Sequence, residues 1–235
     1  MKPTSPLISP TLLTRIAGVG IALVISVSGL FLIGQYELLP DILPVHFRRD
    51  GVANGWQYKT WARVLLPVFV QVALAGTLCA VGVLLLSRRH GAEDSASPDV
   101  QAAAAASESV TLIAFIWVAF QGYAAFALVR MWSAQRAGLG RWYSYVQGIG
   151  ILLTIGVAIR AHIRLGRPSP RPFVAEHWRF GQLYRNPEDP ALFVPTRDGR
   201  RWTLNFGRPV AALLLAVVLG IGIVGPTIIL GLALR

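Results

Sequence analysis

Long runs of uncharged, apolar residues constrain this chain more than any other feature of it. Five segments carry no charged side chain over lengths at or near what a bilayer requires: Ile16–Tyr36, Val64–Leu86, Val110–Val129, Tyr143–Ile159 and Pro209–Leu234. A helix rises about 1.5 Å per residue, so roughly 20 residues cross a hydrocarbon core about 30 Å thick. Backbone N–H and C=O groups must be satisfied internally in lipid, so these segments are expected as helices. Only 14% of the 235 residues are charged, against about 25% in soluble domains. That is too few for a water-facing surface unless lipid covers much of it.

The ends of several helices are legible. Ser97-Pro98-Asp99 is a start signal, with Ser as N-cap, Pro in the first turn and Asp against the positive end of the dipole. The stretch Ala102–Ala106 then continues without a breaker, so the third helix is expected to begin in water, two or three turns before the bilayer. Gly166 with Pro168 stops the fourth helix. Pro67 falls in the first turn of the second span, and Gly225-Pro226 predicts a kink in the fifth. The uncharged run at Ile16–Tyr36 has 21 residues, longer than the roughly 7–15 of a signal-peptide core, so it is read as a retained span.

The net charge is +11. Counting Lys and Arg in the loops puts 14 on the side holding the N-terminus and 8 on the other, out of 22. The positive-inside rule then places the N-terminus in the cytoplasm and the C-terminus outside. Trp56, Tyr58, Trp61, Trp132, Trp142, Tyr143 and Tyr145 fall near the outer interface, as an aromatic belt would. Arg160, Arg164 and Arg167, at the end of the fourth helix, are expected to snorkel to anionic lipid headgroups. The basic loop lacks the aromatic interleaving of a single-strand nucleic-acid site, so lipid, and not nucleic acid, is the expected partner of these charges.

The expected architecture is an all-α polytopic membrane protein of about five transmembrane helices. Residues 1–166 make a four-helix membrane region with an outer loop at 39–56. Residues 167–208 form a basic cytoplasmic loop, and 209–235 the fifth helix. Both loops are patterned. In the outer one, Pro40 and Pro44 fix an extended approach, Val45 and Phe47 alternate with His46 as in a short strand, and Asp50-Gly51 and Asn54-Gly55 are turn dipeptides. In the cytoplasmic one, Leu192–Thr196 and Arg201–Phe206 flank Asp198-Gly199, a hairpin signal in which Trp202, Leu204 and Phe206 share an apolar face. A lone hairpin is marginal in water and must pack on headgroups, helix ends or a partner.

On these residues, Leu39–Trp56 resembles the LP-x-x-IP-x-HF-x-x-x-G-x-x-x-x-W pattern of the DUF1648 membrane family, whose relatives include SdpI-like bacteriocin-immunity proteins. Tyr184–Arg208, with Asn186-Pro187-Glu188-Asp189-Pro190, Phe193-Val194-Pro195 and Trp202–Phe206, is similar to a second loop module, DUF5808. The resemblance implies a multi-pass protein of the bacterial plasma membrane, and for part of the family immunity or signal reception.

Catalytic chemistry finds little support. No nucleophile, Walker or C-x-x-C-H motif is present. His46 with Asp41 and Asp50 offers a metal or proton-relay site, but no H-x-x-x-H or H-E-x-x-H spacing supports it. The plainer reading has His46 bonded to loop backbone and the acids capping turns. Glu176-His177 reads as an exposed polar pair. Gln71 and Gln121 lie within spans, where amides usually bond a neighbouring helix. Cys79, in an apolar run, reads as an inert buried thiol. No catalytic residue, metal site or cofactor is predicted, although metal or haem at His46 or His162 stays open, as does the oligomeric state. The leading expectation is a non-enzymatic protein recognising a peptide or protein partner through Pro44, His46, Phe47, Asp50, Gly51 and Trp56. Phe193, Trp202, Asn205 and Phe206 would be presented inside as an interaction loop. An accessory subunit of a larger membrane complex and a metal-dependent membrane enzyme are the alternatives.

Overall fold

A computed structural model of the chain describes residues 7–48, 53–87, 98–134, 138–166, 168, 171–217 and 220. The elements are α1 (Leu12–Gln35), β1 (Ile42–Phe47), β2 (Ala53–Tyr58), the single turn α2 (Trp61–Val64), α3 (Leu66–Leu86), α4 (Pro98–Ser133), α5 (Arg141–Leu165), β3 (Trp178–Arg179), β4 (Leu183–Tyr184), β5 (Phe193–Pro195) and β6 (Trp202–Leu204). Among the described residues, α1, α3, α4 and α5 are long and apolar enough to cross a membrane. The chain is a polytopic helical membrane protein, with three small two-stranded antiparallel sheets among the described residues. Most of the expected fifth span lies outside the described residues, as does Gly225-Pro226. Residues 209–217 are helical.

Helix boundaries follow the local signals. The third helix does start at Pro98, twelve residues before the uncharged run, while Ser97 lies outside the described residues. Gly166 ends α5 with φ of 60°, a left-handed conformation that glycine adopts without a Cβ clash. Pro67 occupies the first turn of α3, where its missing N–H has no helical acceptor to lose. Thr60 caps α2, its hydroxyl accepting from the Arg63 N–H.

The residues divide into two compact units. The first comprises Leu12–Cys79 and Ser109–Ile159. Here small residues let helices approach closely: a Cβ on Gly20 would meet the Phe115 ring at 2.7 Å, and one on Gly122 would meet Ser28 Oγ and Val24 Cγ1 at 3.1 Å. Beside Gly122 the buried Gln71 amide donates to Ser28 Oγ (3.1 Å) and to the Val118 carbonyl (3.0 Å). The amide thus joins three helices, as expected of a polar group within a span. A second cluster of Leu32, Leu39, Leu43, Val64, Ala125, Val129, Met131 and Trp132 lies where α1, α4 and β1 meet. Much of the remaining helix surface is exposed leucine, isoleucine and valine, such as Leu12, Val19, Leu23, Leu152 and Ile155. In a bilayer this is the surface lipid solvates.

The second unit comprises Met1–Thr11, Ala80–Glu108 and Arg160–Arg235. The alanine-rich start of α4 is packed within this unit. Ala102, Ala103 and Ala105 are buried, and Ile8, Val100 and Phe193 cluster about Ala103. Three hydrogen bonds mount the 171–206 loop on helix ends. Asp99 accepts from the Phe193 N–H at 2.6 Å, and Trp202 Nε1 donates to the Leu165 and Gly166 carbonyls at 3.0 and 3.3 Å, satisfying orphan groups at the end of α5. Of the three supports open to the β5–β6 hairpin, helix ends are the one the structure shows.

Candidate functional site: the β1–β2 hairpin

The segment expected as a compact loop is a hairpin. Ile42 pairs with Tyr58, Leu43 with Gln57, Pro44 with Trp56, His46 with Gly55 and Phe47 with Ala53, with register irregularities on both sides of His46. Asn54-Gly55, a turn dipeptide by its composition, lies inside β2. The dipeptide serves close packing: a Cβ on Gly55 would come 2.9 Å from the His46 Cβ and 3.3 Å from its Cδ2. Asp50 and Gly51, the other turn dipeptide, lie outside the described residues.

The hairpin is fastened from below. Leu43 is buried against Leu32, Val64 and Trp132, and Trp132 Nε1 donates to the Pro44 carbonyl at 3.0 Å. Lys59 turns inward. Its Nζ donates to the Tyr36 and Leu39 carbonyls at 3.2 and 2.8 Å, so it caps the C-terminal end of α1, where the helix dipole favours a cation. The same Nζ stands 5.0 Å from the Tyr36 ring centre and 3.8 Å from Asp41. Tyr36 in turn stacks on Trp61 at 3.7 Å. Pro44 is therefore an interior anchor, not a contact residue. His46, Trp56 and Tyr58 face outward, Trp56 with 59% of its surface open. The structure thus mounts an outward-facing aromatic and imidazole set on a stiff base.

Gly55→Ala is expected to disturb this set with little effect on the helices, because backbone-attached atoms must separate by several tenths of an ångström. Overpacking of this kind costs about 1–3 kcal/mol. Faster proteolysis confined to residues 39–60, with unchanged helical circular dichroism, is the result to look for.

Among the described residues, no three His, Cys, Asp or Glu side chains come together, and Asp41 is turned to Lys59.

The residues expected as an inner interaction loop divide by burial. Asn205 is completely buried, as are Leu192 and Val194. The Asn205 amide holds the loop together, while Phe193, Trp202 and Phe206 are half-buried. Arg160 and Arg164, expected at headgroups, both donate to one oxygen of Glu108, Arg164 at 2.5 Å, while Thr11 donates to the other oxygen at 2.6 Å. Glu108 was the residue sequence reasoning missed. Two arginines one helical turn apart on one face, in a chain with 11 acids, were the available signal. Arg167 lies outside the described residues.

With the geometry in place, one comparison bears on it. Residues 22–70 match the family described as "Domain of unknown function (DUF1648)". The match begins within α1, takes in the whole β1–β2 hairpin and ends in the first turns of α3. No curated protein and no solved structure matches the chain.

Proposed function

We propose that the chain is a non-enzymatic, multi-pass protein of the bacterial plasma membrane that recognises a peptide or protein partner through the β1–β2 hairpin. The observation that carries this reading is the contrast within the hairpin. Leu43, Pro44, Lys59 and Trp132 serve rigid mounting, while His46, Trp56 and Tyr58 are left outward. Preorganised aromatic groups are what recognition surfaces use, because little conformational entropy is lost on binding. The match over residues 22–70 supports the hairpin, with the end of α1 and the start of α3, as one unit of descent. In this reading the N-terminus is cytoplasmic, the hairpin faces outward, and the 171–206 loop, with its likeness to DUF5808, is the inner face of a receptor or immunity-like protein.

His46 and Trp56 are turned outward, so replacing both by alanine leaves stability within about 0.5 kcal/mol. The double variant is expected to fold, insert and lose a partner that travels in fixed ratio with the native protein through mild-detergent purification. Retention of that partner by the variant would reject the hairpin as the recognition surface.

A second reading, an accessory subunit of a larger membrane complex, is favoured by α5. Only 6% of its most apolar window is buried within the chain, which leaves a full helix surface for lipid or a neighbouring subunit. A multi-protein assembly that survives His46→Ala/Trp56→Ala but not polar substitution along α5 would decide for it.

A further inference from the structure

The β3–β4 hairpin ends in an anomaly. Phe180 has φ of 50° and Gly181 φ of 75°, within a turn closed by the Gln182 N–H to the Arg179 carbonyl at 3.2 Å. Left-handed backbone is natural for Gly181. For a bulky residue such as Phe180 it is a strained outlier, and glycine or asparagine would make the turn at less cost. The Phe180 ring gains nothing inside the protein to offset this, for it is 94% exposed. Strain held at an exposed position points to a role for the side chain outside the folded chain.

The support beneath the tip is stiff. Trp178 pairs with Tyr184 across the strands, their rings edge to face at 5.3 Å, and the His177 ring also meets that of Tyr184 edge to face, at 5.8 Å. The Arg185 N–H donates to the His177 carbonyl at 2.8 Å, and the Phe206 N–H to the Tyr184 carbonyl at 2.9 Å. Tyr184 Oη donates to Asp189 at 3.1 Å. Burial and the adjoining Asp189 carboxylate both push the Tyr184 hydroxyl pKa up, so it stays a donor at neutral pH. Next to the turn, Leu183 and Arg179 are exposed, and so is Arg185 just beyond β4, while Phe173, also exposed, stacks on Trp178 at 6.5 Å. The composition is that of an interfacial wedge: an apolar point with arginines placed to meet headgroups.

We propose that the β3–β4 hairpin is a lipid-inserting finger, with Phe180 entering the headgroup boundary of an anionic membrane and Arg179 and Arg185 binding its phosphates. The occupant is argued from charge and tether. Residues 171–185 contain three arginines and one acid. The loop starts six residues after the end of membrane helix α5, to which Trp202 bonds it. A bilayer is therefore within reach, and an anionic one complements the finger.

The test uses the full chain reconstituted in vesicles, with Cys79→Ala and a fluorophore on Gln182→Cys. In vesicles containing phosphatidylglycerol, lipids brominated in the upper acyl chain should quench the label strongly, and aqueous iodide weakly. Phe180→Gly relaxes the turn, so the variant should melt no lower than the parent, yet its label should become iodide-accessible and lose most of its quenching by lipid. Neutral phosphatidylcholine vesicles should give an intermediate result. The proposal falls if the label with Phe180 intact is as open to iodide as a free dye. It also falls if lipid quenching survives Phe180→Gly undiminished.

Discussion

Asn205→Ala is expected to open the 171–206 loop while the membrane helices stay formed. The side chain is wholly buried and makes five hydrogen bonds. Nδ2 donates to the carbonyls of Asn186 (2.8 Å), Asp189 (3.1 Å) and Ala191 (3.2 Å). Oδ1 accepts from the N–H groups of Asn186 (3.0 Å) and Gly207 (2.9 Å). Three acceptors on one end and two donors on the other leave a single orientation for the amide. Alanine removes the partner of five backbone groups. Each buried orphan costs about 1–3 kcal/mol, partly recovered as water enters, so a net loss of about 3–4 kcal/mol is expected. That is comparable to the stability of a small module. Asn205→Asp should be no better than alanine, since a carboxylate would face three carbonyl oxygens. Trypsin reads the outcome directly: Arg179, Arg185, Arg197, Arg200 and Arg201 should become rapid cleavage sites in both variants. A digestion pattern like the parent's would show that the hub is dispensable.

The same residue shows what was readable in the sequence. Asp198-Gly199 with alternating residues on either side announced the β5–β6 hairpin, because turn chemistry and period-2 burial are local properties. They also drew attention to Asn205, but only as a loop residue. Its role depends on carbonyls 14 to 19 residues away, and no local pattern encodes that. The four described spans were legible for a similar reason, since bilayer thickness sets the length of an uncharged run, while the ends of α4 and α5 beyond those runs were legible from Pro98-Asp99 and Gly166. Asn54-Gly55 shows the converse. The dipeptide permits a turn without requiring one, and Gly55 was needed so that His46 could lie against it. The β3–β4 finger left no signal, since Arg179-Phe180-Gly181-Gln182 contains just one strong turn former. The aromatic that makes the finger interesting is the residue that hides the turn.

Glu108 was hidden by a boundary. Counting uncharged residues starts the third span at Val110 and leaves this acid in water, yet its side chain is 2% exposed, while those of Arg160 and Arg164 are 44% and 41% exposed. That asymmetry dictates the second large effect. Removing the acid strands two guanidinium groups that already reach solvent, so Glu108→Gln should cost only about 1–2 kcal/mol. Removing both arginines strands an inward carboxylate with Thr11 as its remaining partner in the cluster, a situation that costs about 3–5 kcal/mol. Because both arginines donate to the same oxygen, each alone substitutes for the other. Arg160→Ala and Arg164→Ala should each be mild, and the double variant worse than their sum. A triple variant decides the matter: adding Glu108→Gln to Arg160→Ala/Arg164→Ala should restore most of the lost stability, measured as the midpoint of unfolding in mild detergent. A triple variant no more stable than the double would show that the arginines act through something other than Glu108, with lipid headgroups the first alternative. Restoration would mean that one carboxylate fixes both side chains, leaving a cluster with one net positive charge at the end of α5.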